Sequence, residues 1–389
     1  MRKARLAVIG TGGLAQSQHL PNIQRSVLAE LSALCDLNPE LLQSLGRKYQ
    51  VAKTRTDYRE VLADPDIDGV VIATREDTHV PLTIEALHAG KHVYVEKPLA
   101  ETPEECSRVV EARQASGKCV IVGMNRRCAP AYVMARQLLL ENGGARNLFY
   151  RIADTYSFTW GHRFGKGNRM LHELCHIFDI LRFFANSEVA EVYCRSQRDD
   201  DESILLTFQS GSTACILSSG FASHAVPKEH FEAVAEAGML IVEEFVEMRT
   251  FGLPNTPDLV KFFPGHSHPD HDQQHVQRFA EEGYPTLLEF RSRLADKMAD
   301  NTLSDSERDK LPLLNYSVDK GWQAAIDHFA DIILNGAKQH AASEIDGLRA
   351  SEITAAAIQS RQTRKPVAIT PATTATTRMF TPLLRTIPT

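Results

Sequence analysis

Val8-Ile9-Gly10-Thr11-Gly12-Gly13-Leu14 closes an apolar run, Leu6-Ala7-Val8-Ile9, with a glycine turn. The run predicts a buried β-strand and the glycines predict a sharp exit into a helix. In such a turn the first glycine permits the reversal and the second lets the backbone approach a pyrophosphate. The amides of the following helix then face the anion. The third position of the G-x-G-x-x-G spacing is Ala15, which the pattern tolerates. A second apolar segment, Leu31–Cys35, ends in Asp36. That is about twenty residues past the glycines, where a carboxylate accepts hydrogen bonds from an adenosine ribose. Gly10, Gly12, Gly13, Leu14 and Asp36 thus outline one end of a dinucleotide site, although a purely structural βα turn carries similar glycines. Leu37 and Asn38 follow Asp36 in place of a basic residue, which favours NAD over NADP.

Composition bounds the rest. A chain of 389 residues accommodates two domains, and 43% hydrophobic with 24% charged residues suits a soluble globular protein. A net charge of -6 argues against nucleic-acid binding, which needs a basic surface. No apolar run reaches bilayer length, and Met1-Arg2-Lys3 leads into a strand and not into a signal peptide. Seven cysteines without paired spacing fit reduced thiols, and with them a cytoplasmic location.

Residues 5–9, 31–35, 69–73, 91–95 and 119–123 read as buried strands. They alternate with helical segments at 13–25, 39–49, 57–63, 80–89 and 103–116, which predicts a parallel sheet with right-handed crossovers. After Gly123 the texture changes. Helical patterns at 129–142 and 169–185 accompany strand-like runs at 147–156, 189–197, 203–209, 213–221 and 229–236. Short consecutive strands of this kind predict a largely antiparallel sheet. Residues 262–312 form a polar insertion, helical around 285–299, and helices follow near 318–335 and 344–361. The expected fold class is α/β: an N-terminal Rossmann dinucleotide-binding domain (1–124) and a C-terminal α+β domain with an open, mainly antiparallel sheet (125–370). Residues 371–389 read as a tail, either an arm on a neighbouring subunit or a loose terminus.

Ligands in open α/β sheets bind beyond the carboxyl ends of the strands. Thr74, Arg75 and His79 follow one such end, Glu96-Lys97-Pro98 the next, and Asn125-Arg126-Arg127 the last. A lysine there can hydrogen-bond a substrate hydroxyl and lower its pKa, although a surface Glu-Lys pair before a turn proline has the same sequence. His172 and His176 are four apart and share a helix face, with Asp179 three further on. The pair suits a metal ion, a general base with a polar neighbour, or two structural histidines. The loop Trp160–Arg169, with His162, Arg163 and Lys166, suits a carbohydrate, and an anionic sugar would favour Arg163, Lys166 and Arg169. His266-Ser267-His268-Pro269-Asp270-His271 matches a metal motif, H-x-H-x-D-H, but lies in the polar insertion. It is read as a solvated loop, and no metal is expected.

Taken in order, these motifs resemble the Gfo/Idh/MocA oxidoreductase family. The resemblance covers about residues 4–260 and 318–369 and rests most on Glu96-Lys97-Pro98 with the downstream His176-x-x-Asp179. It implies Lys97 as active-site lysine and His176 as catalytic acid/base, with His172 assisting. It implies cofactor contacts from Gly10, Gly12, Gly13, Leu14, Asp36, Thr74, Arg75, His79, Glu96, Lys97 and Asn125. Substrate contacts fall to Lys97, Arg126, Trp160, His162, Arg163, His172 and His176. The implied activity is NAD(P)-dependent hydride transfer at a secondary hydroxyl or ketone of a sugar, glycoside or cyclitol. In the family the open sheet face serves oligomerisation, which implies a homodimer or homotetramer. Three departures stand out. Many relatives carry Asp where this chain has His172, the familiar Thr-Pro-Asn is Thr74-Arg75-Glu76 here, and the insertion at 262–312 is unusual. The His172 substitution keeps open a glycoside hydrolase that works by transient oxidation through bound NAD. A further alternative is a non-catalytic nucleotide-binding sensor, against which Lys97 and His176 argue.

Overall fold

The apolar run before the glycine turn becomes β1 (Ala4–Ile9), the centre of a six-stranded sheet in the computed structural model of the chain. The structure describes residues 2–159, 168–262, 277–278, 281–300, 302–304 and 318–370. Its other strands are β2 (Ala29–Cys35), β3 (Lys53–Arg55), β4 (Gly69–Ile72), β5 (His92–Val95) and β6 (Val120–Val122). The order is β3-β2-β1-β4-β5-β6 and every pair is parallel. The direction of chain winding reverses between β1 and β4, the switch point at which such sheets bind ligands. Leu6, Ala7 and Val8 have no exposure at all, which explains the unbroken apolar run: both sheet faces are covered.

The chain forms two compact units, Met1–Cys128 with Gly321–Glu352, and Ala129–Lys320 with Ile353–Thr389. The first differs from the expected 1–124. The helix Trp322–Asn335, expected in the second domain, places Ala325, Ile326, Phe329 and Ala330 in the same core as Leu6, Val8 and Tyr94. An apolar helical stripe fits any bare sheet face, so position along the chain misassigned it. Buried Arg127 donates to Asp346 at 2.8 Å within this unit, which draws the boundary to Cys128.

Local sequence rules set the starts of two helices after the strands. Asn38 accepts from the amides of Glu40 and Leu41, and Thr102 from the amide of Glu105, as N-caps do. The helix expected at 13–25 departs from regularity. It winds as a π-helix over Ala15–His19 before the α-helix Leu20–Arg25. Pro21 has no N–H for the carbonyl of Ser17 and its ring crowds that carbonyl, so a widened turn relieves the clash.

The second unit holds a nine-stranded sheet. Its strands are β7 (Asn147–Ala153), β8 (Val189–Arg198), β9 (Asp201–Phe208), β10 (Thr213–Ser219), β11 (Glu229–Val234), β12 (Met239–Glu243), β13 (Glu247–Phe251), β14 (Leu259–Lys261) and β15 (Val367–Ala368). The order is β14-β13-β12-β11-β7-β10-β9-β8-β15, antiparallel except for the parallel pair β7/β10. One face shares its core with the helices Pro130–Glu141 and Cys175–Ala185, where Tyr132, Phe178, Phe184, Ile216 and Phe231 are buried. The other face exposes Leu205, Cys215, Leu217, Val234, Phe251 and Leu259. Strands β12–β14 escaped the sequence reading because they are short and mix charge with apolar residues; buried Glu247 lies within β13. The cysteines are all free thiols, and among the described residues no helix is long and apolar enough to cross a membrane.

Gly10 has φ +87°, and a Cβ there would lie 2.6 Å from the carbonyl oxygen of Ala73. Gly10→Ala is expected to cost about 2 kcal/mol or more, whereas Gly12→Ala, whose Cβ meets nothing, changes stability by only about 0.5 kcal/mol or less. Urea-unfolding midpoints of the two variants check this contrast.

Candidate functional site

The carboxyl edge of the parallel sheet gathers the first group of candidate residues. At the end of β2 the Asp36 carboxylate is held by the glycine turn itself. Thr11 donates to Oδ2 from its backbone N at 2.7 Å and from Oγ1 at 3.0 Å, and the Asn38 amide donates to Oδ1 at 3.0 Å. Gly12 and Gly13 are exposed, and a Cβ on either would meet no protein atom within 4 Å. The turn therefore leaves room beside its amides for a bulky anion, with a fixed carboxylate at its flank. Those features fit the pyrophosphate and adenosine ribose of NAD.

At the end of β4, Thr78 donates through Oγ1 to Oγ1 of Thr74 at 2.7 Å. Arg75 is exposed and pairs with Asp77 at 3.4 Å. His79, expected among the cofactor contacts, is 1% exposed. Its Nδ1 lies 2.8 Å from the carbonyl oxygen of Pro98 and its Nε2 3.3 Å from that of Thr74. Burial lowers its pKa, which favours a neutral ring, and a neutral ring has one N–H to donate. The shorter contact, to Pro98, joins the start of the helix after β4 to the loop after β5.

At the end of β5, Glu96 is 3% exposed while Lys97 is half-buried, and the Lys97–Pro98 peptide is cis. The partner of Glu96 is a residue that sequence reading missed. Buried His19 places Nε2 2.9 Å from Glu96 Oε1. The two are 77 positions apart, and nothing in either local pattern announces the pair. After β6, Asn125, Arg126 and Arg127 form a buried 3₁₀ turn. Asn125 and Arg126, expected among the cofactor and substrate contacts, are 2% and 4% exposed.

The second unit carries the histidines. His172 lies in a π-helical turn, Met170–Leu174, and His176 in the first turn of the helix Cys175–Ala185; both are buried. The expected regular helix therefore opens with a widened turn at the first histidine. Asp179 faces Arg182 at 3.6 Å, and Arg182 also grips Glu188 through two bonds of 2.7 and 2.6 Å. Behind the π-turn lies a buried ionic network. Lys228 bridges Asp154 at 3.1 Å and Glu173 at 2.9 Å. Arg169, expected to favour an anionic sugar, has no exposure: it pairs with Asp154 at 3.3 Å and donates to Ser218. Its charge is committed to the scaffold that holds the π-turn. Trp160, His162, Arg163, Lys166, the H-x-H-x-D-H segment and residues 371–389 lie outside the described residues. Among the described residues, no group of three or more His, Cys, Asp and Glu side chains could hold a metal ion.

Comparison with known proteins supports the dinucleotide reading of the first unit. Residues 4–124 match the GFO_IDH_MocA model, an oxidoreductase family with an NAD-binding Rossmann fold. The chain is 29% identical over 223 residues to an uncharacterised oxidoreductase of Bacillus subtilis, covering 54% of this chain and 65% of that protein. It is 32% identical over 198 residues to an inositol 2-dehydrogenase/D-chiro-inositol 3-dehydrogenase of Shouchella clausii, covering 48% and 55%. The matches thus span between half and two thirds of these relatives. In fold, the chain is similar to scyllo-inositol dehydrogenase from Lactobacillus casei, solved with NAD(H) and scyllo-inositol. The TM-score is 0.69 at 18% identity, over 94% of this chain and 99% of that one.

The network behind the π-turn also predicts a pH dependence. Ser218 donates to Glu202 at 3.1 Å, and burial pushes the Glu202 pKa from 4.5 up to about 7. Between those values the folded chain keeps a proton that the unfolded chain has released, so Glu202 makes stability fall as pH rises through this window. Glu202→Gln is expected to stabilise the protein by about 1–3 kcal/mol at pH 8 and to leave it unchanged near pH 4. Urea unfolding of both proteins at the two pH values tests this; an equal difference at both would contradict it.

Proposed function

We propose, from the match of residues 4–124 to the NAD-binding Rossmann fold of the Gfo/Idh/MocA oxidoreductases, that the chain is an NAD-dependent oxidoreductase acting on a sugar, glycoside or cyclitol. The reacting group is a secondary hydroxyl or the matching ketone. The observation that carries the proposal is the carboxyl edge of the parallel sheet. There a glycine turn with open space at Gly12 and Gly13, a fixed Asp36 and a half-buried Lys97 lie at the ends of β1, β2 and β5.

Each residue has a defined task in this reading. The amides of the glycine turn bind pyrophosphate, and Asp36 accepts from the adenosine ribose hydroxyls. The carboxylate repels a 2′-phosphate, which favours NAD over NADP. Bound NAD supplies the hydride acceptor. Lys97 hydrogen-bonds the substrate oxygen and stabilises the negative charge that develops there. His176 takes the hydroxyl proton as a neutral imidazole, and His172 orients the substrate or assists that transfer. The inositol dehydrogenase relatives support a polyol as substrate. The exposed apolar residues of the nine-stranded sheet support assembly as a homodimer or homotetramer. The free thiols fit a reducing compartment such as the cytoplasm.

The test is NADH formation from NAD over a panel of inositols, aldoses and glycosides. Lys97→Ala and His176→Ala are each expected to lower kcat by about 100-fold or more while NAD affinity stays within about threefold. Undiminished turnover in both variants would refute the assignment. Glycoside cleavage without net NADH would redirect it to a hydrolase working by transient oxidation.

A further inference from the structure

The His19–Glu96 pair joins the two halves of the cofactor edge. His19 ends the π-turn that leaves the glycine turn, and Glu96 opens the loop that presents Lys97. The imidazole has no exposure and the carboxylate only 3%. While Oε1 of Glu96 meets His19 Nε2 at 2.9 Å, its Oε2 accepts from the backbone N–H of Lys97 at 3.2 Å. The carboxylate lies across Gly123, where a Cβ would come within 2.8 Å of it, so glycine at that position makes its place. Ring edges of Tyr94 and Trp322, with centroids 5.4 and 5.7 Å away, hold the imidazole in turn.

We propose that His19 is a positioning residue for Lys97, acting through Glu96. By fixing one carboxylate oxygen, His19 orients the other onto the Lys97 N–H, and so fixes the peptide unit from which the lysine amine extends. A buried carboxylate with a second anchored oxygen has one orientation; with the imidazole gone it turns toward other donors and releases the Lys97 amide. The same contact ties the phosphate-binding turn to the loop bearing the reactive lysine, two segments that no neighbouring strand pair links directly. The proposal rests on the reading of Lys97 as the active-site lysine.

Two measurements on the full chain test it. Residue-resolved hydrogen exchange reads the Lys97 amide, which is well isolated because Pro98 has no N–H. Steady-state kinetics with NAD and an inositol read the chemistry. In His19→Leu the Lys97 amide is expected to exchange about tenfold faster, and kcat to fall about 10- to 100-fold with KM for NAD within about twofold. His19→Gln, which keeps an N–H donor for Glu96, recovers most of both effects. Should His19→Leu fail to fold, His19→Asn, too short to reach Glu96, takes its place. Unchanged exchange at Lys97 overturns the proposal, as does faster exchange with unchanged kcat, or exchange that rises equally across β1 and β4. If the unmodified protein reduces no NAD with any polyol, it is the proposed function that fails, and exchange at Lys97 still decides the positioning claim.

Discussion

The close approach of Gly10 to Ala73 is the constraint on which the first unit depends. The backbone after β1 turns at positive φ with the end of β4 directly beneath it, so no side chain can occupy the position. Because the two strands flank the switch point of the sheet, that approach brings the loops after β1 and β4 side by side. The Thr11–Asp36 bonds then attach the end of β2 to the same turn, and His79 attaches the loop after β5 to the start of the helix after β4. The candidate cofactor edge is a set of loop ends fastened to one another, with glycine making the first fastening possible.

Much of the fastening is made by polar and charged groups that are buried or half-buried. An isolated buried charge costs several kcal/mol, and only well-placed partners offset it. Asp36 takes its partners from backbone and hydroxyl groups, Glu96 from an imidazole and an amide, and Asp154 from Lys228 and Arg169. Such groups add little net stability over an apolar core, but they define orientation, because each has few acceptable arrangements. They concentrate beside the residues assigned to cofactor and chemistry, where orientation counts most.

Both units place a π-turn next to candidate residues: Ala15–His19 after the glycines and Met170–Leu174 at His172. A π-turn inserts an extra residue into a helix and swings the following side chains around its axis, and such turns recur at functional sites. In the first unit it sends His19 inward to Glu96. In the second it precedes His176, and Arg169 with Lys228 braces it from the sheet side.

The sequence by itself determined the elements whose signals are local. The apolar runs of β1, β2, β4, β5 and β6, the glycine turn and Asp36 were all readable, because strand periodicity and φ > 0 act over a few residues. So were the α/β class and the resemblance carried by Glu96-Lys97-Pro98 and His176-x-x-Asp179. Tertiary structure decided what depends on contacts between distant segments. It gave the helix Trp322–Asn335 to the first sheet, turned Arg169 from an expected sugar ligand into a buried brace, and set buried His79 against the Pro98 carbonyl. It also paired His19 with Glu96 across 77 positions. A charged or polar side chain has the same letter whether it faces solvent or a buried partner; only the packed chain fixes which, since the energy of each depends on what lies opposite.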